Sequence, residues 1–501
     1  MKKNNNRKTY MIAMIIIIMV IIISITIPLR VNKNEVTPVQ ITQENNGLPK
    51  LENFENLYNI VMSNKKNNLD ITNIQGESIA KETRDSLNDT TNNLNEDYSS
   101  TNIQVQGVDE SDIVKTDGEY IYYVANECVQ IIKEENKMKL IKKINYEEEE
   151  FTPKEIYVTP NKLIVIGLSS KMETDDFRMR DMLYKTNEKT IVKTYNIENK
   201  TKPKMERQIV IEGSYLSSRM IDNNIYVISN QYLSTYNFKE NIEEMNQDDY
   251  KPKYIDTLIS KEEQSIEYND IAYFPESDDI SYLTILSFNT NKKEKANIET
   301  FLGAGDNIYC SLNNLYIANV KYQYKDEKIY GYYNNYDLNT YIYKFKLENS
   351  QAIYLNVGSV PGSILNQFSM DEKDGNFRIA TTNNTNFNSD TNVNNLYILD
   401  ENLNIVGSLE NLAKGERIYS VRFMDNRAYM VTFVQTDPLF VIDLSDNLNP
   451  VVLGELKIPG YSKYLHPYEP AIPIIHLYPQ HRFPLLFLRL EVHCQASLQQ
   501  N

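Results

Sequence analysis

Apolar and polar positions fall into blocks of different period along the chain. Residues 1–9 are basic, with Lys2, Lys3, Arg7 and Lys8, and lead into Tyr10 to Leu29, an almost unbroken run of Ile, Met, Val and Ala. About 20 apolar residues, rising ~1.5 Å each, match the ~30 Å hydrocarbon core of a bilayer, so residues 10–29 are predicted to form a transmembrane anchor. The basic flank outweighs Arg30 and Lys33 on the far side, which places the N-terminus in the cytoplasm and the rest of the chain outside the cell. A cleaved signal peptide is the competing reading. It needs a small-x-small site after a short apolar run, and Ser24-Ile25-Thr26 is the only weak match.

Residues 30–100 read as a polar tether. Within it, 49–67 carries Leu51, Phe54, Leu57, Tyr58, Val61 and Met62 at spacings dominated by three and four, the period of a short amphipathic helix. Residues 68–100 are rich in Asn, Asp, Thr and Ser and too polar to bury a core.

From Thr101 the period changes to two. A turn followed by a strand of aliphatic and aromatic residues recurs as Asp117 to Val124, Pro160 to Ile166, Asp222 to Ile228, Asn313 to Ala318, Asp374 to Ala380 and Asp425 to Val431. Most copies are followed by a second strand, as in Val192 to Ile197, Leu283 to Phe288, Tyr341 to Leu347, Leu396 to Leu399 and Leu439 to Leu444. A third strand often ends in Gly, as in Gln208 to Gly213, Ile298 to Gly303 and Val452 to Gly460. Units of three or four strands repeated in one phase predict an all-β fold, a β-propeller of about six recognisable blades over 101–468. A β-sandwich also uses many short strands, but it does not require this repeated order.

Composition then narrows the chemistry. With 52 Lys and Arg against 68 Asp and Glu, a net charge of −16 and no basic stripe, a nucleic-acid partner is excluded. The three cysteines, Cys128, Cys310 and Cys494, lie too far apart in sequence for a zinc cluster. All four histidines, His466, His476, His481 and His493, fall in the last 36 residues, so the body has neither the usual general base nor a His metal ligand. No catalytic or cofactor-binding residue is assigned. Asp109, Glu110, Asp112 and Asp117 are candidate oxygen ligands for a hard cation such as Ca²⁺, against the plainer reading of a solvated loop and turn. Asp400 to Asn404 begins like a calcium loop, but Ile405 stands where the loop needs Gly and Asn411 where it needs Glu, so a hairpin turn is expected.

The stretch Ser100-Thr-Asn-Ile-Gln-Val-Gln-Gly-Val-Asp-Glu-Ser-Asp-Ile-Val-Lys-Thr-Asp-Gly118 resembles the opening of a bacterial and archaeal family of secreted or membrane-anchored proteins, the C-terminal β-propeller domain family. Leu48 to Leu57, Ser218 to Val227 and Tyr464 to Tyr468 resemble further motifs of it, so the likeness covers roughly 48–468. It implies a propeller outside the membrane and carries over no catalytic residues. Residues 469–501 depart from the pattern. From Pro470 on there is no Lys or Asp, and prolines at 470, 473, 479 and 484 are expected to interrupt any strand, as in a foreign or out-of-frame tail. A ring lacking its last portion would expose blade edges and aggregate more readily than a complete one.

Together these readings describe an anchored propeller that binds a protein or a glycan without catalysis. The alternative is an extracytoplasmic hydrolase with two carboxylates facing each other on the propeller face about 5–9 Å apart.

Overall fold

The computed structural model describes residues 47–69, 104–134, 137–170, 188–234, 237–275, 277, 279–303, 305–324, 336–384, 391–433, 437–458, 465–468 and 472–475. The predicted basic tail, the anchor at Tyr10 to Leu29, most of the tether and the chain beyond 475 lie outside these residues. Among the described residues no helix is long and apolar enough to cross a membrane.

Most of the described chain is β-structure, in six sheets of four or more strands and one two-stranded hairpin. The first sheet runs Val114–Thr116, Tyr120–Ala125, Cys128–Lys133 and Lys139–Asn145. The second uses Thr152–Val158, Lys162–Ser170, Glu188–Asn196 and Lys204–Glu212, and the third Ser214–Ile221, Asn224–Tyr232, Ser281–Asn289 and Asn297–Leu302. The fourth comprises Asn307–Cys310, Asn314–Tyr324, Tyr336–Glu348 and Gln351–Pro361. The fifth comprises Met370–Lys373, Asn376–Asn383, Val393–Leu399 and Ile405–Leu412, and the sixth Arg417–Met424, Arg427–Phe433, Asp437–Asp443 and Val451–Ile458. In each, these four strands pair antiparallel in chain order.

The six recurring turn-strand segments are the second strands of the six sheets. Four of their turns use the left-handed backbone region, which Asp tolerates and Gly prefers: Asp222, Asp374 and Asp425 sit at φ +53°, +51° and +50°, and Gly118 and Gly375 at +90° and +80°. From the second sheet to the sixth these strands are buried on both faces, because each of these sheets is covered on both sides, whereas Tyr123 of the first sheet is 39% exposed. Leu163 and Val165 pack towards the first sheet, with Tyr122, Val129 and Ile131. Ile164 and Ile166, pointing the other way, pack towards the third, with Ile225 and Val227. The same hand-over continues through Ile228 and Leu315, Tyr316 and Phe377, and Ala380 and Met430. Such sequential packing of radially repeated four-stranded sheets is the propeller arrangement.

Two features depart from the plain repeat. Between the second and third strands of the third sheet, residues 233–280 form an insertion. Its strands Lys253–Asp256 and Ser260–Ser265 extend the second sheet, while Ile271–Tyr273 runs parallel to the outer strand of the third. The insertion is pinned where Arg207 Nε and Nη2 donate to Asp256 at 2.9 and 2.6 Å, side chains 7% and 2% exposed. Burial works to raise the Asp256 pKa, but the Arg207 bond and charge together with the N–H groups of Ala296 and Leu258 outweigh it and hold the carboxyl below its ordinary range.

The predicted helix forms as α1, Phe54–Leu69, starting five residues later than its apolar spacing suggested. Residues 49–51 run extended instead, with Leu51 N–H donating to Ile271 O and Tyr273 N–H to Pro49 O, both 2.9 Å. Leu51, Phe54, Leu57 and Val61 are buried in the core shared by the second and third sheets. Phe54 sits among Phe238, Tyr250 and Tyr268 of the insertion, ring centroids 5.4–6.5 Å away. Although read as part of a tether, this segment packs as part of the sheet assembly.

The tail expectation is corrected in one respect. Ile472–Ile475 pairs antiparallel with Leu465–Tyr468, and Pro473 lies opposite Pro467 inside this hairpin. A lone two-stranded ribbon has free edges on both sides, where proline's missing N–H costs no ladder bond. Leu465 is 1% exposed and covers Tyr429, Val431 and Leu439 of the sixth sheet.

Candidate functional site

The first strand of every sheet escaped the periodic signal. Residues 104–113 run between them. Val108 and Asp109 pair with Ile221 and Met220 of the third sheet, and Asp112 bridges Ile156 of the second. Gln104 Nε2 donates to the carbonyls of Gln367, just ahead of the fifth sheet, and of Met370, the first residue of its first strand, at 3.1 and 2.9 Å. Residues 104–113 therefore tie together the first strands of the second, third and fifth sheets.

A polar network locks this segment. Ser111 Oγ hydrogen-bonds the Glu155 carboxylate and lies 3.1 Å from Tyr215 Oη and 3.0 Å from Ser218 Oγ. Tyr215 donates to Glu155 at 2.7 Å, and Tyr157 Oη is 2.9 Å from Ser218 Oγ. Burial raises the Tyr215 pKa well above its ordinary value, so the phenol stays protonated and available as donor. Arg219 is buried and donates to Ser217 Oγ and Ser218 O at 2.8 and 2.7 Å and to Gln367 Oε1 at 2.8 Å.

The four candidate cation ligands are placed in this region but not as one set. Asp109 accepts from Lys115 Nζ at 2.7 Å, and Glu110 lies 3.6 Å from Arg219. Asp112 accepts from the backbone N–H of Ile113 at 2.7 Å. Asp117 caps its own turn, accepting from Tyr120 N–H and Tyr122 Oη at 2.8 Å and Glu119 N–H at 3.2 Å. Burial works to raise the Asp117 pKa, and these hydrogen bonds with nearby Lys200 outweigh it, holding the carboxyl low. Each carboxylate is spent on a local partner, and among the described residues no group of three or more His, Cys, Asp or Glu could hold a metal ion. Glu110 and Glu155 are likewise engaged, Glu110 by Arg219 and Glu155 by Ser111 and Tyr215. Asp400 accepts from the N–H groups of Asn402 and Asn404 at 2.9 and 2.8 Å, the hairpin turn its sequence suggested.

A concavity unseen in the sequence lies at the rim of the third sheet. It has a volume of about 230 Å³ and is lined by Gly213 to Leu216, Asn230 to Tyr232 and Ser281. Gly213 makes it possible: its φ is +105°, and a Cβ there would sit 2.7 Å from the Asn230 carbonyl. Asn230 Nδ2 donates to Gly305 O at 2.8 Å and Gln231 Nε2 to Glu212 at 2.9 Å, but the buried amide oxygens Asn230 Oδ1 and Gln231 Oε1 accept nothing. Burial raises the Glu212 pKa, opposed in part by the bonds from Gln231 and Lys253 N–H. Ser214 Oγ donates to the Glu188 carboxylate, and Tyr232 is 59% exposed beside it. Alternation could have flagged this stretch, since the apolar Ile225 to Ile228 run ends in Ser-Asn-Gln.

The profile of the Beta propeller domain family matches residues 98–474. An uncharacterised protein of Methanocaldococcus jannaschii is 32% identical over 427 residues, covering 74% of this chain and 64% of that protein. A second, from Archaeoglobus fulgidus, is 30% identical over 444 residues, covering 74% and 65%. The chain thus spans just under two thirds of the length of these relatives. Among solved structures, Drosophila plexin A in complex with semaphorin 1b aligns at 7% identity over 73% of this chain and 82% of that one, with a TM-score of 0.31 that carries no argument. On the family match, the six sequentially packed sheets and the two relatives, the chain belongs to the Beta propeller domain family.

Proposed function

We propose that this protein is a non-enzymatic binding or scaffolding module held at the outer face of the cell membrane by Tyr10 to Leu29. Each of the six sheets is read as one blade, with the hairpin from Leu465 beginning a further one. The observation that carries the reading is the segment 104–113, which joins the second, third and fifth sheets and whose acidic side chains are held by local hydrogen bonds and ion pairs, leaving the rim and the insertion to meet a partner. The acidic charge of −16 favours neutral or basic partners over nucleic acid or other polyanions.

Membrane fractionation with external protease tests the placement. The full chain is expected to sediment with membranes and to be shaved from outside, and a variant lacking residues 10–29 to remain soluble. A full chain found in the cytosol, or one shielded from external protease in intact cells, would overturn it.

A further inference from the structure

We infer that Asn199 is an N-glycosylation site, its side-chain amide accepting an oligosaccharide from a polyprenol-phosphate-linked donor. The inference rests on the placement of the sheets outside the membrane proposed above, because such glycans sit on surface loops of exported chains.

The acceptor pattern is Asn-x-Ser/Thr with x other than Pro, and the chain has it at Asn88, Asn199 and Asn383. The structure separates the three. Asn88 lies outside the described residues. Asn383 ends the second strand of the fifth sheet, where it pairs with Val393 and its Oδ1 is buried, so the ladder holds its amide away from an enzyme. Asn199-Lys200-Thr201 lies instead in the turn between Glu188–Asn196 and Lys204–Glu212 of the second sheet, with Asn199 and Thr201 both exposed.

The turn also presents the right groups together. Asn199 Oδ1 accepts from Thr201 N–H at 3.1 Å and from Thr201 Oγ at 2.7 Å, an Asx turn that sets hydroxyl beside amide. Asn199 Nδ2 donates to no group among the described residues, so its reaction breaks no internal hydrogen bond. Lys200 points the other way: its Nζ donates to Pro160 O at 3.2 Å and lies 3.5 Å from Asp117, which anchors the turn and leaves its two neighbours in water. Hydrogen bonds to Oδ1 favour the electron-rich oxygen of a deprotonating amide and so ease proton loss from the nitrogen. In the transfer, Nδ2 bonds to the anomeric carbon of the sugar and the bond from that carbon to the phosphate oxygen breaks. The polyprenol phosphate leaves with the electron pair, and the Nδ2 proton passes to a base of the transferring enzyme.

Mass spectrometry on the full chain, purified from the cells that naturally make it, is the test. Cleavage after Glu releases Asn199 to Glu206 as one peptide, which is expected to carry sugar residues. Asn199→Asp keeps an acceptor oxygen for the same turn and removes the nitrogen, so it should abolish the added mass and leave the melting temperature unchanged. Thr201→Val should also abolish it, and Thr201→Ser, which restores the hydroxyl, should keep it. An unmodified peptide from the unaltered chain, added mass that survives Thr201→Val, or sugar on Asn383 in place of Asn199 would overturn the site. External protease reads the membrane placement by itself: a chain that is shaved from outside yet carries an unmodified peptide sinks the site and leaves the placement standing.

Discussion

At the residue scale, the sequence is readable where a side chain answers to its neighbours in the chain. Asp117, Asp222, Asp374, Asp400 and Asp425 all serve turns next to themselves, and the turn chemistry of Asp announces them. Residues that answer to distant partners are not legible in this way. Glu299 follows the alternation of a half-exposed strand, yet its strand lies between Ser281–Asn289 and Ile271–Tyr273, and burial pushes its pKa from 4.5 up to about 7. The folded protein then holds this proton more tightly than the unfolded chain. The stability it contributes is whole below about pH 4.5 and is lost as pH rises through 7. Glu299→Gln, which keeps the shape and removes the ionisation, should therefore raise the melting temperature at pH 8 by at least about 2 °C and leave it unchanged at pH 4. A gain of the same size at both pH values would show that ionisation is not the cause.

At the element scale, second strands were visible and first strands were not. A second strand such as Lys162–Ser170 is buried on both faces and reads as a run of aliphatic residues bounded by a turn. A first strand mixes Ser, Arg and Tyr with apolar residues, as in Ser214–Ile221, which no simple period describes. Helix α1 was visible through its spacing, but its destination was hidden because its partners lie far along the chain: Tyr58 Oη donates to Glu240 O at 2.6 Å across 182 positions. Its burial makes it a structural strap on the insertion. Leu57→Ala, at a position 0% exposed, should cost about 2–5 kcal/mol and speed amide exchange in 51–62 and 266–273 before the rest of the chain. Uniform acceleration over all sheets would mean that the strap and the sheets unfold as one unit.

At the scale of the whole molecule, the sheets pack in sequence, and the sixth ends in a strand with little cover. Val451, Val452, Leu453 and Leu456 of Val451–Ile458 are 50%, 38%, 54% and 41% exposed, with Leu448 just before it at 64%. An apolar strand with an unpaired edge is a template for pairing with another chain. Leu453→Lys should leave melting nearly unchanged, because this side chain is half in water already, and should slow concentration-dependent aggregation, followed by light scattering during heating. Unchanged aggregation would move the sticky surface elsewhere, the exposed Leu140 and Tyr123 of the first sheet being next in line.

What the sequence determined by itself was local in origin: strand period, turn chemistry, the apolar spacing of α1 and the absence of histidine from the body. Each depends on residues within a few positions of one another, so the chain states it directly. Tertiary structure alone decided that residues 104–113 join the second, third and fifth sheets, that the insertion extends one sheet and braces another, and that Ser214, Gln231 and Ser281 come to share one cleft. These are pairings between distant segments. Their energies arise from burial and from hydrogen bonds that exist only once the sheets are packed, and no local pattern encodes which polar group will find which partner.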